Sequence, residues 1–331
     1  MTDVAVLGAG SWGTVLADLL ARKGLDVHLW AYEPEVAQTI ASTHRNEWYL
    51  PGADLSPALR ASSDIGAVVD GVPTVCSVVP SHVSRSVWTM IAPLLAPGTR
   101  LICGTKGMEP DSLELMSGVA AEVLPQATFV ALSGPSFAEE VHAELPTAVV
   151  AASRDIGAAL DTQQLFATSR FRVYSNHDVT GVLLGGALKN TIAIAAGILD
   201  GLRMGHNARA ALLTRGLAEI ARLGAALGAE AETFAGLAGM GDLILTCTGS
   251  LSRNRQLGLA IAGGGSLAEY HATHRTVVEG ANAALAASRL AANHGVEMPI
   301  VEQVAAILFE GMSPQESIQL LMERTLKAER W

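Results

Sequence analysis

The stretch Val4-Ala5-Val6-Leu7-Gly8-Ala9-Gly10-Ser11-Trp12-Gly13 decides the reading of the fold. Val4 to Leu7 is a short, continuous apolar run, the signature of a strand buried on both faces of a parallel sheet. A helical pattern follows from Trp12 to Lys23, and a second apolar run from Val27 to Trp30. The glycines between strand and helix follow the spacing GxGxxG. Gly8 permits the tight turn, Gly10 lets a pyrophosphate approach the backbone, and Gly13 lets helix and strand pack closely. The helix start then offers free N–H groups and a partial positive charge to phosphates. Ser11 and Trp12 fall where a dinucleotide would touch the loop. The competing reading is purely local, with the glycines serving turn and packing geometry and Trp12 serving as a core aromatic.

Working outward, further strand candidates are Val75 to Val79, Leu101 to Cys103, Phe129 to Leu132, Ala148 to Ala151 and Phe171 to Tyr174, with helical stretches such as Ser81 to Leu95 between them. This alternation predicts an α/β fold, a Rossmann-like doubly wound domain with a mainly parallel sheet. Beyond about Asn176 the strand signals stop. Ala/Leu-rich segments take over at 179–199, 208–227, 257–262, 280–294 and 300–310, predicting an all-helical second domain. We expect a dinucleotide-binding domain over residues 1–178 and a helical substrate or catalytic domain over 179–331. The run from Val179 to Leu199 has the length of a membrane span, but Lys189 sits in its middle and four glycines interrupt it. A central Lys costs about 2.5–3.5 kcal/mol on insertion. A core helix is the better account, and no membrane span is expected.

Composition narrows the function. The chain has 331 residues, is 50% hydrophobic and carries a formal charge of −10, from 22 Lys and Arg against 32 Asp and Glu. Such a chain is not intrinsically disordered. A net negative body does not attract nucleic acid or anionic lipid, though a local basic pocket remains open. Cys76, Cys103 and Cys247 are odd in number and widely spaced. They predict free thiols in a reducing compartment rather than disulfides, and no metal site. The N-terminus lacks a basic segment and a long apolar stretch, so no signal peptide is expected.

The remaining chemistry lies at strand ends and in the helical half. After the second strand the chain reads Trp30-Ala31-Tyr32-Glu33-Pro34. No carboxylate follows Trp30 directly, no Arg awaits a 2′-phosphate, and Glu33 stands slightly late, so the choice between NAD and NADP stays open. Tyr32 either covers the adenine or is a surface aromatic. Ligands of parallel sheets gather beyond the carboxyl ends of strands. Lys106, in Gly104-Thr105-Lys106-Gly107, and Gly134 and Ser136, in Ser133-Gly134-Pro135-Ser136, stand at such ends. Ser136 and Glu139 also have capping-box spacing, which would make part of that motif a helix start. Lys189 lies in an otherwise uncharged apolar helix beside Asn190. A buried ammonium must be paired, lose its proton more easily or face a cavity. Desolvation makes such a Lys a general acid and base, against the alternative of a structural ion pair. Asp242 ends the glycine-rich run Gly236 to Gly241, with Thr246 soon after. It would hold a substrate hydroxyl, orient Lys189 or cap the next helix. Ser252 reads as an N-cap, placing Arg253 and Asn254 in a first helical turn suited to a phosphate, unless the Arg253 and Arg255 pair is simply exposed.

These motifs, with Asn46 to Gly52, Gly186 to Asn190, Thr214 to Leu217 and Val277 to Gly280, run nearly the length of the chain in one order. In that order they resemble the bacterial type of NAD(P)-dependent glycerol-3-phosphate dehydrogenase. The resemblance implies reversible hydride transfer between NAD(P)H and dihydroxyacetone phosphate, giving sn-glycerol 3-phosphate for phospholipid synthesis in the cytoplasm. It makes Lys189 the acid and base. Lys106 and Asp242 hold the reacting end, with Asn190 and Thr246 beside them, and Arg253 and Asn254 take the substrate phosphate. Gly134, Ser136 and Ser252 line the pocket. Ser11, Trp12, Tyr32, Ala138, Val277 and Glu279 fall on cofactor positions, to which Lys106 and Arg253 also contribute. Tyr32 departs from the Arg or His common at its position, and His206 from a common Asp. The partner expected is a small phosphorylated substrate, and the apolar helices of the second half suggest a homodimer. The rival readings are another 2-oxo or hydroxy-acid dehydrogenase of the same architecture and a non-catalytic cofactor-sensing protein.

Overall fold

The structure is a computed structural model describing residues 3–274, 278–326, 328 and 329. The chain divides into two compact units, Met1–Thr105 with Met116–Val179, and Lys106–Leu115 with Thr180–Trp331.

The first unit is built on one eight-stranded sheet. In chain order the strands are β1 (Val4–Leu7), β2 (Val27–Trp30), β3 (Arg60–Ser62), β4 (Thr74–Ser77), β5 (Arg100–Cys103), β6 (Thr128–Ser133), β7 (Thr147–Ala152) and β8 (Phe171–Asn176). Their spatial order is β3-β2-β1-β4-β5-β6-β7-β8. The first six are parallel in the 3-2-1-4-5-6 order of a dinucleotide-binding sheet. The chain reverses between β6 and β7, which pair antiparallel with Leu132 opposite Ala151, and β8 then runs parallel to β7. The central strands β1, β4 and β5 are buried along almost their whole length because helices cover both faces. The Ser11–Arg22 helix packs with Ala138–His142 and Ile156–Phe166, while Ser81–Ile91 packs with Ile65–Val69 and Met116–Val123. β3 escaped the sequence reading. It is three residues long and partly exposed, and among the strands it pairs with β2 alone, so an edge position needed no apolar run to mark it.

The second unit is helical. Its centre is the Val179–Gly201 helix, apolar all round and therefore buried all round. Of its most apolar 18-residue window, 89% is buried inside the protein. Leu184, Leu188 and Ile192 lie in one core cluster with Leu217, Leu223, Phe234 and Leu243; Ile194 and Ile198 lie in another with Leu257, Ile261 and Val304. The segment Lys106–Leu115, early in the chain, belongs to this unit. Met108 anchors it in the first of these clusters, and Met108 and Leu115 form a local antiparallel bridge.

Candidate active site

In the first unit the glycine loop is built for close approach. Gly8 leaves β1 with a φ of +105°, a left-handed conformation that favours glycine, while its N–H still donates to Trp30 O at 3.0 Å. A Cβ on Gly13 would stand 1.9 Å from Gly8 O, so the helix could not seat against the turn with any side chain there. Gly10 is different, because a Cβ there would meet nothing within 4 Å. The space over Gly10 is what an approaching pyrophosphate requires, and these residues fit a dinucleotide. Gly10 is also the N-cap of the Ser11–Arg22 helix, with no side-chain cap bond. The first-turn N–H groups are thus left to a ligand or solvent. The loop is braced from Asn46–Leu50. Asn46 is buried and its Nδ2 donates to Ala9 O and to Thr14 Oγ1, both at 2.8 Å, while the Ser11 hydroxyl donates to Tyr49 O. The indole Nε1 of Trp12 is buried without a hydrogen-bond partner. Tyr32 is 78% exposed, with its ring edge-on to Trp30. At the end of β6, Gly134 has a φ of +136°, and Ser136 Oγ donates to Gly134 O at 3.0 Å.

In the second unit one carboxylate gathers two ammonium groups. Lys189, buried in the middle of the Val179–Gly201 helix, donates to Asp242 Oδ1 and, at 2.8 Å, to Thr246 Oγ1. Lys106 donates to Asp242 Oδ2 at 2.9 Å. Thr246 in turn donates to the Asp242 carbonyl at 2.7 Å, which aims an oxygen lone pair at Lys189. Asp242 is positioned by a π-helical turn, Leu237–Gly241, that opens the Asp242–Thr248 helix. Such turns recur at functional sites because they re-aim one side chain. Burial is the main influence on Lys189 and pulls its pKa from 10.5 down to about 7; the Asp242 carboxylate opposes that fall, and the Lys106 ammonium adds to it. An amine so tuned both gives and accepts a proton near neutral pH.

Beside this cluster, Asn254 Nδ2 donates to Asn190 Oδ1 at 3.0 Å, and Gly280 N donates to Asn254 Oδ1 at 3.0 Å. Ser252 caps the Arg253–Ala262 helix by accepting from Arg255 N at 3.3 Å. The two arginines of this turn divide by partner. Arg255 is committed to Asp200, which Arg209 also holds. Arg253 is exposed and has no carboxylate partner among the described residues. A cation left unpaired at a helix start is suited to a phosphate.

Models of the N-terminus and C-terminus of NAD-dependent glycerol-3-phosphate dehydrogenase match residues 3–159 and 178–319. The chain belongs to this family. It is 54% identical over 331 residues to a glycerol-3-phosphate dehydrogenase [NAD(P)+] of Geobacter sulfurreducens, covering 99% of both chains. A Geobacter metallireducens protein of the same name is also 54% identical over 330 residues, with 99% and 98% covered. The crystal structure of glycerol-3-phosphate dehydrogenase from Coxiella burnetii superposes with a TM-score of 0.94 at 44% identity, covering 98% of this chain and 99% of that one.

The glycerol-3-phosphate dehydrogenase frame orders the residues singled out from sequence. The first unit carries Gly8, Gly10, Ser11, Trp12, Gly13, Tyr32, Gly134, Ser136 and Ala138, all at or just beyond the carboxyl ends of β1, β2 and β6. The second unit brings Lys106, Lys189, Asp242 and Thr246 into direct contact and joins Asn190 to Asn254. Ser252 and Arg253 open the adjoining helix, and Glu279 opens the Glu279–Asn293 helix. Val277 lies outside the described residues. Two local readings are corrected. Ser136 and Glu139 form no capping box, because Phe137 is the N-cap and Ser136 bonds back to Gly134 instead. Asp242 does not cap a helix; it is helical itself and spends its carboxylate on the two lysines. Sequence reasoning gave no role to Asn46 and Tyr49, since a polar side chain that braces a distant backbone leaves no local periodic signal.

Proposed function

We propose that Lys189 is the general acid and base of the hydride transfer between NAD(P)H and dihydroxyacetone phosphate that gives sn-glycerol 3-phosphate. The nicotinamide supplies the hydride in reduction and takes it in oxidation. In reduction the Lys189 ammonium donates a proton from Nζ to the oxygen developing on the substrate's C2. In oxidation the neutral amine accepts the proton of the C2 hydroxyl. Asp242 orients Lys189 and keeps its proton from being lost too readily, and Thr246 fixes the third dimension of that geometry. Lys106 sits on the other carboxylate oxygen, where it holds the substrate end and favours the neutral form of Lys189. Arg253, with the helix start at Ser252 and Asn254, takes the substrate phosphate, and this remote binding energy goes into positioning C2. Asn190, Gly134 and Ser136 complete the substrate contacts. Gly8, Gly10, Ser11, Trp12, Gly13, Tyr32 and Ala138 hold the cofactor, with Lys106, Arg253, Val277 and Glu279 as further contacts.

The single observation that carries this reading is a buried amine with a pKa near 7, bonded to a buried carboxylate. Its test is Lys189→Met. Nucleotide binding is retained and turnover falls by about 10²–10⁴-fold, the usual worth of a positioned acid or base. Turnover retained in that variant would hand the proton to another group. We further propose that the enzyme works in the cytoplasm, with its product entering phospholipid synthesis, and that it is a homodimer. The three buried, free cysteines support the first and the exposed Met204, Met240, Ile244 and Leu251 of the helical unit support the last.

A further inference from the structure

We infer that Thr191 and Gly280, two residues given no part in the reaction above, are positioning residues that lock the amides of Asn254 and Asn190 with their N–H groups left for the substrate phosphate; the inference rests on the reading of Arg253 and Asn254 as the phosphate site. Four residues on three helices close into a ring of hydrogen bonds. Asn254 Nδ2 donates to Asn190 Oδ1 at 3.0 Å, Gly280 N donates to Asn254 Oδ1 at 3.0 Å, and Thr191 Oγ1 donates to Gly280 O at 3.1 Å. Thr191 follows Asn190 in the Val179–Gly201 helix, so the chain itself completes the circuit. The helices approach closely enough for such short side chains to bridge them. A Cβ on Gly258 would stand 2.1 Å from Ile194 O, so the Arg253–Ala262 and Val179–Gly201 helices touch backbone to backbone. A Cβ on Gly280 would stand 2.5 Å from Asn254 Oδ1 and 2.6 Å from Asn190 O, so a side chain there would push its N–H away from Asn254.

The polarity of the ring follows from one group. A backbone N–H only donates, so Asn254 must offer Gly280 its Oδ1 and not its Nδ2. Its Nδ2 then faces Asn190, which must answer with Oδ1. Each amide oxygen is thereby turned to a protein donor. What remains is the second hydrogen of Asn254 Nδ2 and both hydrogens of Asn190 Nδ2, all of them donors. An ionised phosphate offers acceptor oxygens to match them. An Asn254 free to turn over would bring its Oδ1 toward the anion in one of its two orientations and repel it. Thr191 acts one bond further back. It is fully buried, so its part is indirect: its hydroxyl holds the Gly280 carbonyl, and with it the first turn of the Glu279–Asn293 helix to which the Gly280 N–H belongs.

The test is steady-state reduction of dihydroxyacetone phosphate by the full-length enzyme at saturating reduced cofactor, with melting curves alongside. Thr191→Val keeps the shape of the side chain and deletes its hydroxyl. Its KM for dihydroxyacetone phosphate rises about three- to tenfold, the effect of losing about one neutral hydrogen bond, while kcat and the nucleotide KM change by less than about twofold. Thr191→Ser keeps the hydroxyl and returns KM to within about twofold of the native value. Gly280→Ala, whose methyl displaces Asn254 Oδ1, raises the same KM further and reads the ring without altering Thr191. A KM unmoved in Thr191→Val and Gly280→Ala would overturn the inference, as would a rise that Thr191→Ser fails to rescue, since packing and not the hydroxyl would then be at work. A parallel loss of Tm, kcat and nucleotide affinity in Thr191→Val would also overturn it, as the mark of a merely structural residue. Asn254→Ala separates the two levels. A raised KM there, with Thr191→Val and Gly280→Ala unmoved, removes the positioning claim alone; an unchanged KM in Asn254→Ala would overturn the phosphate site beneath it.

Discussion

Asp242→Asn removes the anion and preserves the shape. In the native site the carboxylate serves two ammonium groups, Oδ1 to Lys189 and Oδ2 to Lys106 at 2.9 Å. Of the influences on Lys189, desolvation and Lys106 lower its pKa and Asp242 raises it, with the balance at about 7. The amide removes the one opposing influence and turns an N–H donor toward one of two donors. Opposite charges about 4 Å apart interact by about 4 kcal/mol at an effective dielectric constant near 20. At about 1.4 kcal/mol per pH unit, that sets the scale of the further fall in the Lys189 pKa at about three pH units. The sign is fixed: the ammonium needed for ketone reduction is present below the pKa and lost above it. Reduction by the native enzyme should fall as pH rises through about 7, and oxidation should rise through the same pH. In Asp242→Asn both inflections should move to lower pH by more than about one pH unit. Reduction at neutral pH is then depressed by about tenfold for each pH unit that the inflection moves. The assay is kcat/KM for dihydroxyacetone phosphate reduction and for glycerol 3-phosphate oxidation from pH 5 upward, with nucleotide affinity measured in parallel. An unmoved inflection in the variant, with lower activity at every pH, would refute the electrostatic role given to Asp242.

Two further paired substitutions separate functions that the sequence runs together. Arg253→Ala should raise KM for the phosphorylated substrate strongly with little change in thermal stability, whereas Arg255→Ala should lower Tm because it strips the partly buried Asp200 of one of its two arginines; steady-state kinetics and thermal melts distinguish them. Gly13→Ala should destabilise the first unit, since its new methyl would lie 1.9 Å from Gly8 O, while Gly10→Ala, whose methyl meets no protein atom within 4 Å, should leave Tm unchanged and weaken nucleotide binding. Melting curves with and without nucleotide read both outcomes.

Much of this architecture is written in local patterns. β1 and the Val179–Gly201 helix are legible because burial on every side forces a long apolar run, and Gly8 and Gly13 are legible because the turn and the close packing there favour glycine. Lys189 and Asp242 stand out for the converse reason, as charges where apolar side chains are the rule. β3 left no signal, since a three-residue edge strand buries too little to need one. The departure of Lys106–Leu115 to the helical unit was equally silent. It rests on long-range packing of Met108, Leu113 and Leu115 rather than on any periodicity. The same holds for the partners of Asp200 and for the bond between Tyr49 and Glu33, which join residues far apart in sequence. The Ser136 and Glu139 spacing misled because a serine hydroxyl two residues from a strained glycine found a nearer acceptor.

The central claim concerns one amine. Lysine side chains labelled with ¹⁵N at Nζ, assigned at position 189 by comparison with Lys189→Met, can be titrated by NMR in the intact enzyme. The account predicts a Lys189 resonance that titrates with a midpoint near 7, displaced from the ordinary 10.5 by burial. A midpoint near 10.5 would leave the amine fully charged throughout the working range and contradict its role as the group that passes the proton both ways.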